Sequence, residues 1–277
     1  MSRGTIAAVL IALVIALLAP AAALADGSAN CATNGTFYTR MGTGALPDST
    51  PSRATIVEGG MFFHSLNRCN GTDPDGKNGA FVYFELANPS YPDYYFAYDQ
   101  GTGSRYGDYV RVGYYLCSWS GDTACNQGHG WFWAWGRRAG TGSCATSDAN
   151  GIHRITGSGL PSLDPTSETY FALAVNGDGS VRVDIYGNDG FYSATLAASL
   201  TGCWNRTGTV QGFVKATAWD PGDRIGGTVD DPVRVAWAGS DNTGPFTPIC
   251  KTLSSGPYRC VSGTDFGDPM LLYTNDR

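Results

Sequence analysis

Glutamate occurs only at positions 58, 85 and 168 of these 277 residues, and histidine only at 64, 129 and 153. So small a stock narrows the available chemistry. No H-E-x-x-H, H-x-H, C-x-x-C or G-x-S-x-G is present, which removes the common zinc and serine-hydrolase signatures. Charged residues make up 15% of the chain, the formal net charge is -6, and the lysines and arginines are scattered, so the basic footprint of a nucleic-acid or anionic-membrane binder is missing. Few glutamates and lysines also mean few helix formers. Aspartate sits mostly beside glycine, proline or asparagine, which is turn chemistry. No fixed-period repeat is visible, which argues against a propeller or solenoid.

Only one long apolar run exists. Residues 6–25 are apolar, broken at Pro20, preceded by Arg3 and closed by Ala23-Leu24-Ala25. This is the pattern of a secretory signal cleaved after Ala25. The expected mature chain, 26–277, is a single disulfide-bonded domain, exported, with no membrane span left after cleavage. Eight cysteines, at 31, 69, 117, 125, 144, 203, 250 and 260, all fall in that part. An even count in an exported chain reads as four disulfides. Spacing favours the short loops Cys117–Cys125 and Cys250–Cys260; the sequence does not fix the connectivity of the other four, for which Cys31–Cys69 with Cys144–Cys203 is one of three pairings. No metal and no cofactor is expected. The aspartate-rich loop 220–231 and the segment 73–79 are oxygen-rich, but the second departs from the calcium-loop pattern and reads as a turn.

What the chain has in quantity is glycine, 38 residues, and short alternating apolar runs bounded by turn residues. Strands are expected at 54–59, 60–66, 80–86, 93–99, 108–116, 128–138, 210–219 and 232–239. A hairpin is expected across Gly177-Asp178-Gly179. The ends, 26–53 and 241–277, read as loop-rich. These features predict an all-β, two-layered antiparallel β-sandwich of jelly-roll or concanavalin-like type.

The segment 128–138 places Trp131, Trp133 and Trp135 at every second position, so the three indoles share one strand face. That face is either core or binding platform. Outward positions of the neighbouring runs gather Tyr83, Glu85, Tyr109, Arg111, Tyr115, Arg182, Asp184, Tyr186 and Lys215. Flat aromatics among hydrogen-bonding groups suit the apolar C–H face and hydroxyl rim of a sugar. Glu85 and Asp184 are the candidate catalytic carboxylates if both line one concave face, because glycoside hydrolysis needs two acids flanking one bond. Asp184 beside Arg182 reads equally as a same-face ion pair.

The succession VRVGYY, WFWAWGR, TYFALAVNGDGSVRVDIYG, VQGFVKATAWD and PVRVAWAG resembles the strand order of the eqolisin type of glutamic peptidase over roughly residues 80–240. The resemblance implies a concanavalin-like double sheet and a Gln/Glu pair activating water for acid peptide hydrolysis. In this sequence the position matching the Gln, ahead of Val112-Gly113, holds Arg111. The strand matching the one that bears the Glu has Lys215 and no carboxylate before Asp220. Two functions follow as expectations: a secreted non-catalytic binder of a polysaccharide or cell-surface polymer, or a secreted hydrolase, peptidase-like or glycosidase, working through carboxylates on the concave sheet.

Overall fold

The computed structural model of the chain describes residues 30–31, 43–44, 55–63, 66–69, 77–87, 109–119, 125–136, 152–164, 166–176, 180–196, 211–218, 220, 222–225, 233–240, 244–245, 258–261 and 270–274. Expectations for the signal segment 1–25, the strand at 93–99, and Cys144, Cys203 and Cys250 lie outside these residues. In chain order the strands are β1 (Thr43–Gly44), β2 (Ile56–Phe62), β3 (Leu66–Asn67), β4 (Lys77–Ala87), β5 (Tyr109–Trp119), β6 (Gly128–Gly136), β7 (His153–Arg154) and β8 (Thr169–Val175). They continue as β9 (Val181–Gly187), β10 (Gly190–Leu196), β11 (Gln211–Ala218), β12 (Arg224–Ile225), β13 (Val233–Ser240), β14 (Gly244–Pro245), β15 (Tyr258–Val261) and β16 (Met270–Thr274). One 3-10 turn, Cys125–Gln127, precedes β6. Among the described residues no helix is long and apolar enough to cross a membrane.

The chain is all-β. One sheet runs β1-β11-β4-β5-β6-β7, a second runs β10-β9-β8-β2-β13-β16-β15 with β14 beside β13, and β12 pairs β3. Alternation decides which residues close the gap between the sheets. Val82, Phe84, Leu86, Val110, Val112 and Trp131 come from the first, and Val57, Phe171, Leu173, Val183 and Ile185 from the second, into one buried cluster. Phe171 touches both Phe84, at 5.5 Å, and Trp131, at 5.2 Å between ring centroids. This is a two-layered antiparallel sandwich.

The hairpin expected across 177–179 is the β8–β9 pair, closed by the Asn176 N–H donating to the Ser180 carbonyl at 2.8 Å. Two expectations need correction. The runs expected at 54–59 and 60–66 meet in one strand, β2, because Gly59-Gly60 continues the pairing with β8 and does not turn, while Leu66 belongs to β3. The carboxyl-terminal stretch holds β15 and β16, and β16 pairs β13 inside the second sheet.

The disulfides Cys31–Cys69 and Cys117–Cys125 are formed. The second closes the loop entering β6, where Gly128 takes φ +89°, a conformation side chains rarely adopt. The first lies over a knot made by two buried aspartates. Asp223 accepts N–H bonds from Cys69, Gly79 and Asp220, while Asp220 accepts from Gly222. These carboxylates of the aspartate-rich loop are thus engaged by backbone. Asp220 also lies near both sulfurs of Cys31 and Cys69, but those sulfurs are bonded to each other and are not thiolate ligands.

Candidate functional site

The Trp strand faces inward. Register sets Trp131 opposite Tyr114, Trp133 opposite Val112 and position 135 opposite Val110, all in phase with the core residues of β4 and β5. Trp131 is 4% exposed, its ring edge-on to Tyr114 at 4.9 Å, and its Nε1–H donates to the Pro161 carbonyl at 2.8 Å. Trp133 is half-buried against the core and stacked on His153 at 4.4 Å. The side chains of Trp135, Tyr109 and Lys215 lie outside the described residues. Of the two alternatives for Trp131, the structure holds the core one: alternation fixes which residues share a face, not which face meets water.

The opposite face of β4, β5 and β6 is also largely covered. Phe81, Tyr83, Tyr115 and Phe132 form a second buried cluster, so Tyr83 and Tyr115 do not offer open rings there. Glu85 is buried in this layer and ion-paired with Arg111 at 3.0 Å, whose guanidinium also lies over the Tyr83 ring at 4.7 Å. The expected pairing of Glu85 with Asp184 across one groove is therefore corrected. Each points away from the core, but they belong to different sheets of the sandwich, so they stand on opposite sides of it. Asp184 is held by Arg182 at 3.1 Å and by the Ser193 hydroxyl, which is the same-face ion pair alternative.

The open aromatic surface is on the second sheet. Across five strands the register reads Trp237, Gly60, Tyr170, Tyr186, Phe191, each directly opposite the next. Strands about 4.8 Å apart make this row about 19 Å long. Trp237 is 40% exposed, Tyr186 44% and Phe191 49%. The rings touch in sequence: Trp237 and Tyr170 at 5.9 Å, Tyr170 and Tyr186 at 5.5 Å, Tyr186 and Phe191 stacked at 4.2 Å. Of the residues expected at a ligand, only Tyr186 stands in this row.

Trp237 reaches the row through a β-bulge. Plain alternation from Val233 and Val235 would turn position 237 inward with them. The register shifts between Val235 and Trp237, so Ala236 is the extra residue, Trp237 turns to solvent and Ala238 is buried. Such a shift has no local signature in PVRVAWAG, and only the isolated aromatic there hints at it.

Two of the three glutamates anchor the row. The Tyr170 hydroxyl donates to Glu58 Oε2 at 2.5 Å, and the Trp237 Nε1–H donates to Glu168 Oε1 at 2.9 Å. Glu168 lies across Gly60: a Cβ built there would stand 1.5 Å from Oε1, so glycine leaves room for the carboxylate between the two rings. Burial, then the hydrogen bond to Glu58, then the charges of Glu58 and Asp184 push the Tyr170 phenol above its ordinary value. It remains a proton donor to Glu58. The adjacent register row, Gly239, Glu58, Ala172, Asp184, Ser193, is small or polar throughout and forms a low shelf beside the rings.

No protein-family model matches the chain, and no curated protein matches it in sequence. Solved structures do. Scytalido-glutamic peptidase with a peptide-based transition-state analog is similar at 9% identity and TM-score 0.43, and the same peptidase with a transition-state analog inhibitor at 10% and 0.44. SCP-B, a member of the eqolisin family of peptidases, in a complex with the tripeptide Ala-Ile-His, is similar at 9% and 0.39. Each comparison covers 85% of this chain and 97% of the other. The chain thus bears a weak resemblance to the eqolisin type, and values this low carry no activity across.

Proposed function

We propose that this is an exported polysaccharide-binding sandwich whose glycan lies along the Trp237–Tyr170–Tyr186–Phe191 row of the second sheet. The observation that carries the reading is four aromatic residues in cross-strand register on an open face, two of them held by carboxylates. Apolar rings beside a polar shelf match a sugar's C–H face and hydroxyls. Ring orientations fixed before binding reduce the ordering cost of association. Export is supported by the signal-like residues 1–25 and by two disulfides, which persist in oxidising compartments.

The test is co-sedimentation of the oxidised mature protein with cellulose, chitin, deacetylated chitin and peptidoglycan. The wild type is expected in the pellet with at least one of them. The double variant Trp237→Ala/Tyr186→Ala, with two of the three exposed rings removed, is expected to lose at least tenfold in affinity with an unchanged far-UV spectrum. Absence of the wild type from every pellet, or equal pelleting of the variant, overturns the reading.

A second reading, a hydrolase, rests on the placement of Glu58 and Glu168 on the same face beside Tyr170, since paired carboxylates can divide acid and base roles. The class of the similar solved structures, peptidases, belongs to this reading. Release of reducing ends or peptide fragments at acid pH, abolished by Glu58→Gln, is the expected result under it. No release leaves the binding reading alone.

A further inference from the structure

Resting on the glycan-binding reading, we infer that the ligand is a polysaccharide bearing free amines, a de-N-acetylated hexosamine polymer. The polar groups along the aromatic row decide the ligand's charge. As carboxylates Glu58 and Glu168 accept hydrogen bonds and donate none, and each has one oxygen engaged by the ring it holds. Asp184, in the next register row, is already ion-paired with Arg182 and accepts from Ser193, so the open negative charge beside the rings is that of Glu58 and Glu168.

Two arginines with described side chains share this face, and each already has a partner on it. Arg182 is ion-paired with Asp184 at 3.1 Å, and the Arg234 guanidinium lies over Phe62 at 4.1 Å. Beside the Trp237 and Tyr170 rings an N-acetyl carbonyl or a uronate carboxylate would need donors and would meet the Glu58 and Glu168 carboxylates. An ammonium group meets both partners present: a carboxylate for its N–H bonds and the face or edge of tyrosine and tryptophan rings for its charge.

Geometry agrees with charge. The Glu168 carboxylate fills the Gly60 gap between Trp237 and Tyr170, and Glu58 stands two residues along β2 on the same face, so carboxylates border the rings from within the row and from the shelf. Along a polymer laid on the row, amines on successive sugars would reach different carboxylates. The chain's net charge of -6 adds a long-range attraction toward a polycation, screened by salt.

The experiment measures binding of the oxidised mature protein to four probes of equal length by calorimetry at pH 6. They are a fully deacetylated glucosamine oligomer, its N-acetylated counterpart, a cello-oligosaccharide and oligolysine. The deacetylated oligomer is expected to bind at least tenfold more tightly than the N-acetylated one. That margin should shrink severalfold between 50 and 500 mM salt.

In Glu58→Gln/Glu168→Gln the amide oxygens still accept from Tyr170 and Trp237, so the rings stay in place, and the preference for the amine is expected to disappear. Equal affinity for acetylated and deacetylated oligomers overturns this inference and leaves glycan binding standing. Binding of no saccharide overturns both. Oligolysine binding as tightly as the glucosamine oligomer overturns the inference in favour of a basic polypeptide. Retention of the full preference by the double variant overturns it as well, and urea midpoints within error of the wild type show that the variant is folded.

Discussion

Trp131→Ala is expected to lower stability by about 3–5 kcal/mol, the range for deleting a buried aromatic side chain, and to shift the urea midpoint by about 1–2 M. The size follows from its surroundings. The indole is 4% exposed and packs against Tyr114 at 4.9 Å, Phe171 at 5.2 Å and Phe63 at 6.1 Å, so truncation opens a void where the two sheets meet. It also removes the donor to the Pro161 carbonyl. Trp131→Phe separates the two effects. It keeps most of the apolar volume and loses the hydrogen bond, for an expected loss of about 1–2 kcal/mol. Trp237→Ala, at an exposed position, should stay within about 1 kcal/mol of the wild type. Equal losses at 131 and 237 would contradict the assignment of one to core and the other to surface.

The same substitution reaches the proposed glycan face indirectly. The Ile155 N–H donates to the Trp131 carbonyl, and Pro161 packs against Gly187 at the β9–β10 turn, where the Ser162 N–H donates to Asp189. Segment 155–162 therefore ties β6 to the hairpin that carries Tyr186 and Phe191. Trp131→Ala should loosen that hairpin as well as the core.

How much of this was legible in the sequence differs by element. β9 reads directly, because VRVDIYG alternates without interruption and its inward residues are all β-branched. The grouping of Trp131 with Trp133 on one face is equally legible, but its burial depends on which side the second sheet lies, a fact no strand carries by itself. Grouping Glu85 with Asp184 failed for a related reason. Both are out of phase with their own core residues, and that phase says outward from a sheet without naming the sheet. β10 escaped because GFYSATL has modest apolar alternation and pairs only through β9. The aromatic row was hidden twice over. It exists only in cross-strand register, and Trp237 joins it only through a bulge that reverses the phase of VRVAW.

Asp223 makes the second large expected effect one of pH. Its Oδ2 accepts from Gly79 at 2.6 Å and from Asp220 at 2.8 Å, and its Oδ1 from Cys69 at 2.9 Å. Those bonds favour the carboxylate, but burial opposes them more strongly and pushes the acid from 3.8 up to about 6. A folded value above the unfolded one means that the contribution is complete below the unfolded value and is lost as pH rises through the folded one. Two units correspond to about 3 kcal/mol lost between pH 4 and pH 6. The exposed Asp164 and Asp189 are shifted the other way, by hydrogen bonds from Thr166 and Ser162, so their contributions are lost only at lower pH and leave this window clear. In Asp223→Asn the amide oxygen can keep Gly79 and Asp220, but its NH2 then faces the Cys69 N–H, an expected cost of about 1–3 kcal/mol. That cost is largest at pH 4, where the wild type holds its full contribution, and the gap between the proteins should narrow as pH rises to 7. Urea midpoints of both proteins across this interval test it: parallel pH profiles would show that Asp223 is not the group that titrates there.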